Sequence, residues 1–216
     1  MEHKIQTREE ELANAITHGL GILFALVAIP FLIYWSAQND SAQGIWASSI
    51  FSIATLMVYF SSTIYHAINN SSIKNTMRVW DHISIFIMIG GSYTPFIYRY
   101  TDTSTSKMFL VVMWSVITLG CLKKIFFTGK FELLSVALYL ILGWMIVFVG
   151  QPMLNNLPPS VFWLILWGGI AYTTGVIFYM WKGLKYQHAV WHCFVLTGTV
   201  IHYFAVYKSI SFPVKI

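Results

Sequence analysis

Two histidines four residues apart, His188 and His192, open the last long apolar stretch of this 216-residue chain. A third, His66, closes the second such stretch, and a carboxylate, Asp81, opens the third. Ionisable side chains within lipid are costly; by default they face a bundle interior or a water-filled cavity and serve a function. Three imidazoles meeting at one membrane depth beside a carboxylate suggest a zinc site of the catalytic kind. Residues four apart project from successive turns of one helix face, so His188 and His192 can grip a single ion. Ser62 stands one turn before His66 on the same face.

Whether these groups can meet depends on the elements that carry them. The chain is 57% hydrophobic and only 10% charged, where a soluble domain carries about 25% charged residues. So little charge cannot cover a water-exposed surface. The expected fold is all-α, a polytopic protein of the plasma (bacterial inner) membrane. Seven apolar stretches, near residues 16–35, 44–66, 79–98, 107–126, 131–150, 161–181 and 188–207, reach the roughly 20 residues that a helix needs to cross a bilayer. This predicts a cytoplasmic amphipathic segment over 1–15, a seven-helix domain over 16–207 and a short outer tail over 208–216. Glu9, Glu10 and Glu11 stand where a signal peptide would be basic, so no cleavable leader is expected. Cys121 and Cys193 each sit alone in a span, which argues against a disulfide framework or a thiolate metal site. No internal repeat is apparent, against the inverted-repeat transporters.

Orientation follows from the basic residues. With the N-terminus inside, the inner segments hold Lys4, Arg8, Lys74, Arg78, Lys123, Lys124, Lys130, Lys182 and Lys185, and the outer ones Arg99, Lys107, Lys208 and Lys215. Nine against four places the N-terminus in the cytoplasm and the C-terminus outside. The net charge of +5 is thus a topological signal, and no nucleic-acid partner is expected. In this arrangement His66, Asp81, His188 and His192 all fall in the cytoplasmic half of the membrane, although nothing in the composition required it.

Each residue also has a plainer reading. A histidine at a helix end is often just an interfacial polar group, and Asp81 with His82 could cap a helix. Ser62 could bond back to its own helix. His202 lies on the His192 stripe but about 15 Å further along, too deep to share the site; an interhelical hydrogen bond is its expected role. Gly90, Gly91 and Ser92 would let helices approach closely. Glu11, Asn14, Thr17 and His18 form one polar stripe leading into the first span. It reads either as an interfacial helix or, for Asn14 and His18, as support for the metal ligands.

Four ordered motifs carry a resemblance that runs along nearly the whole chain: Glu11-x2-Asn14-x2-Thr17-His18-x2-Gly21; Ser62-Thr63-Ile64-Tyr65-His66; Asp81-His82 leading into Gly90-Gly91-Ser92-Tyr93-Thr94-Pro95-Phe96; and His188-Ala189-Val190-Trp191-His192. Together they resemble the hemolysin III family, the bacterial branch of the progestin and adipoQ receptors, in a superfamily that includes alkaline ceramidases. The resemblance implies seven helices with the N-terminus inside, and zinc held by His66, His188 and His192 with Asp81 and Ser62 beside the metal-bound water. The family label also implies lytic activity, which none of these residues explains.

A zinc ion on three imidazoles keeps a fourth position open and makes its water easier to deprotonate. Asp81 can then act as general acid and base, and Ser62 can steady an oxyanion. The leading expectation is a zinc-dependent hydrolase of a lipid acyl amide or ester, with membrane lipid as its partner and a part in lipid homeostasis. Two alternatives stay open: a receptor or sensor in which Asp81 closes the fourth zinc position, and a lytic or channel protein. The second would need a polar stripe across the membrane.

Overall fold

The computed structural model describes residues 6–148 and 151–212, and within them no strand occurs. Eight α-helices follow in order: α1 (Arg8–Asn39), α2 (Ala42–Ala67), α3 (Ser71–Tyr100), α4 (Thr103–Phe127), α5 (Glu132–Gly143), α6 (Gln151–Leu154), α7 (Pro159–Met180) and α8 (Gln187–Ile210), with a 3-10 turn at Met145–Phe148 between α5 and α6. Five of them, α1, α2, α4, α7 and α8, are long and apolar enough to cross a membrane.

The first helix shows why this is a membrane protein. Its buried stripe is Glu10, Asn14, His18, Gly21, Ala25, Ala28, Leu32 and Ser36, small or polar except for Leu32, at three- and four-residue spacing. Its outward face is Leu12, Ile16, Leu20, Leu23, Leu26, Val27 and Phe31, all exposed. Large apolar side chains outside and polar ones inside invert the pattern of a soluble helix, and only lipid makes that face stable. The helix starts at Arg8, capped by Thr7 in a reciprocal box with Glu10. The lead-in expected to lie along the interface therefore continues unbroken into the first span.

Two of the seven expected spans differ from simple apolar helices. α3 is 30 residues long, but Lys74, Arg78, Asp81 and Arg99 lower its hydropathy. It lies at the heart of the bundle, packed chiefly on α2 and also touching α4, α5, α6 and α8. A Cβ on Gly91 would lie 2.5 Å from the Ala54 Cβ, so this glycine sets the close approach of α2 and α3. The stretch 131–150, expected as one helix, breaks after Gly143. The Tyr93 hydroxyl donates to the Gly143 carbonyl (2.5 Å) and accepts from the Ile146 N–H (3.1 Å). A tyrosine from α3 thus satisfies backbone groups that a break in lipid would otherwise expose.

At the end of the bundle opposite the histidines, Arg99 is paired with Asp40 at 2.5 Å, both nearly fully buried. The Arg99 Nη2 also donates to the carbonyls of Ile210 and Phe212. One guanidinium therefore ties together the ends of α1, α3 and α8.

Candidate metal centre

His66 stands one residue before the end of α2, and His188 and His192 occupy the first two turns of α8. Their helices bring one nitrogen of each within 4.8 Å of the others. Ring centroids are 5.1 Å apart for His66 and His188, 5.2 Å for His66 and His192, and 4.5 Å for His188 and His192. His66 and His192 are buried. The three are placed to hold one metal ion.

Local structure fixes both arms of this cluster. The residue before α8, Tyr186, takes the left-handed conformation (φ 57°), and its N–H donates to Glu10 Oε1 at 3.3 Å. That contact pins the start of α8 to the start of α1. On the other side, Lys74 at the start of α3 donates to the Tyr65 carbonyl (3.1 Å) and pairs with Glu11 Oε1 (2.9 Å).

The stripe on α1 then orients the imidazoles. Glu11 Oε2 lies 2.5 Å from His66 Nδ1, with Asn14 Nδ2 at 3.4 Å from the same nitrogen. His192 Nδ1 lies 3.2 Å from the Asn14 carbonyl and 3.2 Å from Thr17 Oγ1. A carboxylate or a carbonyl can only accept, so in both rings Nδ1 carries the hydrogen and Nε2 presents its lone pair. His66 Nε2 is buried with no hydrogen-bond partner. A buried acceptor left without a partner is costly, and a cation bound at His66 Nε2 removes that cost. By this criterion the residues fit a metal cation.

The remaining expected residues gather around the same point. His18 lies flat on His192, with centroids 3.5 Å apart and planes at 19°, and neither of its ring nitrogens has a hydrogen bond. Ser62 Oγ is fully buried and faces Asp81 without a hydrogen bond of good geometry. Asp81 has His66, Ser62, Lys124 and Arg78 as its electrostatic neighbours. It is not a helix cap: α3 begins ten residues earlier, where Asn70 Oδ1 accepts from Ser72 and Ile73. Asp81, His18, His66, His188 and His192 all line one cavity of about 420 Å³, whose walls are mostly apolar side chains such as Met88, Phe96, Leu157 and Phe162. Glu11 and Thr17 are the residues whose contacts the sequence reading did not assign. Their signal was the i, i+3, i+7 stripe they share with Asn14 and His18.

A multi-pass helical membrane protein with a triple-histidine cluster is the class that fold and site define. The chain belongs to the haemolysin-III related family, whose model matches residues 6–203. It is 40% identical over 200 residues to the hemolysin-3 homolog of Bacillus subtilis (strain 168), covering 93% of this chain and 94% of that protein. It is 34% identical over 206 residues to hemolysin-3 of Bacillus cereus, covering 95% and 94%. A more distant likeness, 24% over 205 residues (92% of this chain, 84% of the relative), is to the human monocyte to macrophage differentiation factor, in keeping with the wider progestin and adipoQ receptor superfamily.

Proposed function

We propose that this protein is a zinc-dependent integral membrane hydrolase that cleaves an acyl amide or ester of a membrane lipid. In this proposal α3, and α5 with its continuation, also cross the bilayer. That makes seven spans, with the N-terminus and the histidine centre on the cytoplasmic side and the C-terminus outside. The convergence of His66, His188 and His192 on a largely apolar cavity that Asp81 also lines carries the proposal. A structural staple would need the imidazoles alone; here they open onto a space suited to a chain.

Zinc bound there supplies Lewis acidity toward a carbonyl and activation of water for attack. The protein's own groups do the rest. Asp81 takes the proton from the attacking water and returns it to the departing amine or alcohol. The Ser62 hydroxyl, buried beside it, donates to the oxygen that gains charge. Glu11, Asn14 and Thr17 hold the ligand rings in one tautomer and one orientation, and His18 braces His192 by lying across its face. The apolar walls receive the acyl chain, which passes from one apolar surrounding to another, so packing and not release from water holds it there.

The relatives named hemolysin favour a lytic role as the second reading. A pore requires a continuous polar path through the bundle, and the mostly apolar lining of the cavity disfavours it. The discriminating experiment uses purified protein in bilayers with amide- and ester-linked lipids. Release of free fatty acid that stops with a zinc chelator and returns with zinc supports the hydrolase. Dye leakage from the vesicles without fatty-acid release supports the lytic reading.

A further inference from the structure

The wall of the cavity carries one fixed positive charge. Among the described residues that line it, Lys182, just beyond the end of α7 at Met180, is the only lysine or arginine. Its Nζ lies over the ring of Tyr179, 5.1 Å from the centroid. That ring in turn lies 5.9 Å from His188 and 5.7 Å from Trp191, so the ammonium stands at the histidine end of the cavity. Nearby basic residues are committed elsewhere: Lys74 pairs with Glu11, Arg78 with Glu132 and Lys185 with Glu9. Among the described residues no carboxylate pairs with Lys182.

The hydroxyl of Tyr179 is available in the same way. Two other tyrosines of the wall, Tyr139 and Tyr172, are engaged, by the His82 carbonyl at 3.1 Å and by Thr199 Oγ1 at 2.9 Å. The Tyr179 hydroxyl has no hydrogen-bond partner among the described residues, and unlike those of Tyr59 and Tyr100 it is not enclosed by protein. An ammonium and a phenol side by side are two donors facing one space. Their complement is an anion with several acceptor oxygens, and a compact lysine charge is a common binder of phosphate. Asp81 lines the same cavity, so an anion entering beside that carboxylate needs a compensating cation. Lys182 supplies it.

We propose that Lys182 and Tyr179 hold a phosphate on the headgroup of the bound lipid, which makes the substrate class a phospholipid and not a lipid with a neutral headgroup. Lys182 meets the phosphate charge, and the Tyr179 hydroxyl donates to one of its oxygens. Because Tyr179 touches both the ammonium and the His188 ring, the phosphate belongs to the part of the lipid next to the scissile bond, not to the far end of an acyl chain. This site rests on the cavity being the lipid site proposed above, and the binding it claims does not require hydrolysis to take place.

The test is binding of two uncleavable ether lipids, 1,2-dioctylglycerol and its 3-phosphate, to the full-length protein, read by displacement of a neutral fluorescent dialkylglycerol. The wild type should bind the phosphate about tenfold more tightly than the neutral ether, as one charge-assisted hydrogen bond supplies. Lys182→Gln should bind the neutral ether as the wild type does and lose the preference, and Lys182→Arg should keep it. Tyr179→Phe, which retains the ring under the ammonium, should lose about threefold of it. Lys185→Gln makes the same charge change at an exposed position and should keep the full preference. Equal affinity for both ethers in the wild type, a preference that survives in Lys182→Gln, or an equal loss in Lys185→Gln overturns the headgroup site while leaving the lipid cavity intact. Inorganic phosphate at the same concentration should change nothing; if it abolishes the preference, the site binds the free anion and the headgroup assignment falls. Failure of both ethers to displace the probe removes the lipid cavity and this site with it.

Discussion

Glu11 Oε2 sits 2.5 Å from His66 Nδ1 while Glu11 Oε1 holds Lys74 at 2.9 Å, so one carboxylate at the start of α1 aligns the His66 imidazole and anchors the start of α3. A carboxylate behind a ligand histidine raises the ligand's basicity and fixes its ring. Glu11→Gln should therefore weaken zinc affinity about 10- to 100-fold while the helices remain assembled. Competition with a chromogenic chelator measures it. An unchanged affinity would mean that Glu11 only fastens α1 to α3.

Tyr93 should prove structural. Tyr93→Phe removes the hydroxyl that serves Gly143 and Ile146 and leaves backbone groups unpaired in the bundle, at a cost of about 1–3 kcal/mol. The expected result is a lower apparent Tm in detergent at unchanged zinc content. An unaltered Tm would show that water serves the break equally well.

The Arg99–Asp40 pair makes a sharper case. Arg99→Met leaves Asp40 buried without its partner, and breaking a buried pair costs roughly 3–5 kcal/mol. Adding Asp40→Asn should recover part of that loss, because no uncompensated charge remains. A double variant as unstable as the sum of the singles would indicate that the bonds to Ile210 and Phe212, and not the ion pair, hold this end together.

Reporter fusions test orientation. A fusion after Gly129 should report the cytoplasm and one after Phe212 the outside, as the distribution of lysine and arginine requires. If both report the same side, the number of spans between them is even and the seven-span proposal is withdrawn.

How much of this was legible beforehand depended on the distance over which each feature is determined. The meeting of His66, His188 and His192 follows from where each stands on its helix and which way that helix runs, both readable from apolar runs and loop charges. Asp81 reached the same cavity by the same logic. Glu11 was harder: it precedes the apolar run, where a carboxylate also reads as an interfacial charge, and only the packing of α1 against α2 shows which way it points. The break after Gly143 could not be read from 131–150, which is apolar from Val136 onward; the hydroxyl that serves it comes from Tyr93, fifty residues earlier. The setting of His202 was only half visible. Its interhelical bond, to the Ile165 carbonyl at 3.1 Å, was expected, but the notch that admits the ring, where a Cβ on Gly168 would overlap it, belongs to the α7–α8 pairing.

The most direct test of the central claim is zinc content measured alongside fatty-acid release for Asp81→Asn and His66→Ala against the wild type. Asp81→Asn should keep about one zinc per chain, because three imidazoles still hold it, and should lose roughly 10²–10⁴-fold in rate with the proton-transfer group gone. His66→Ala should lose metal and activity together. If Asp81→Asn loses zinc as completely as His66→Ala, Asp81 is a fourth ligand and the centre is a closed structural site, which contradicts the hydrolase.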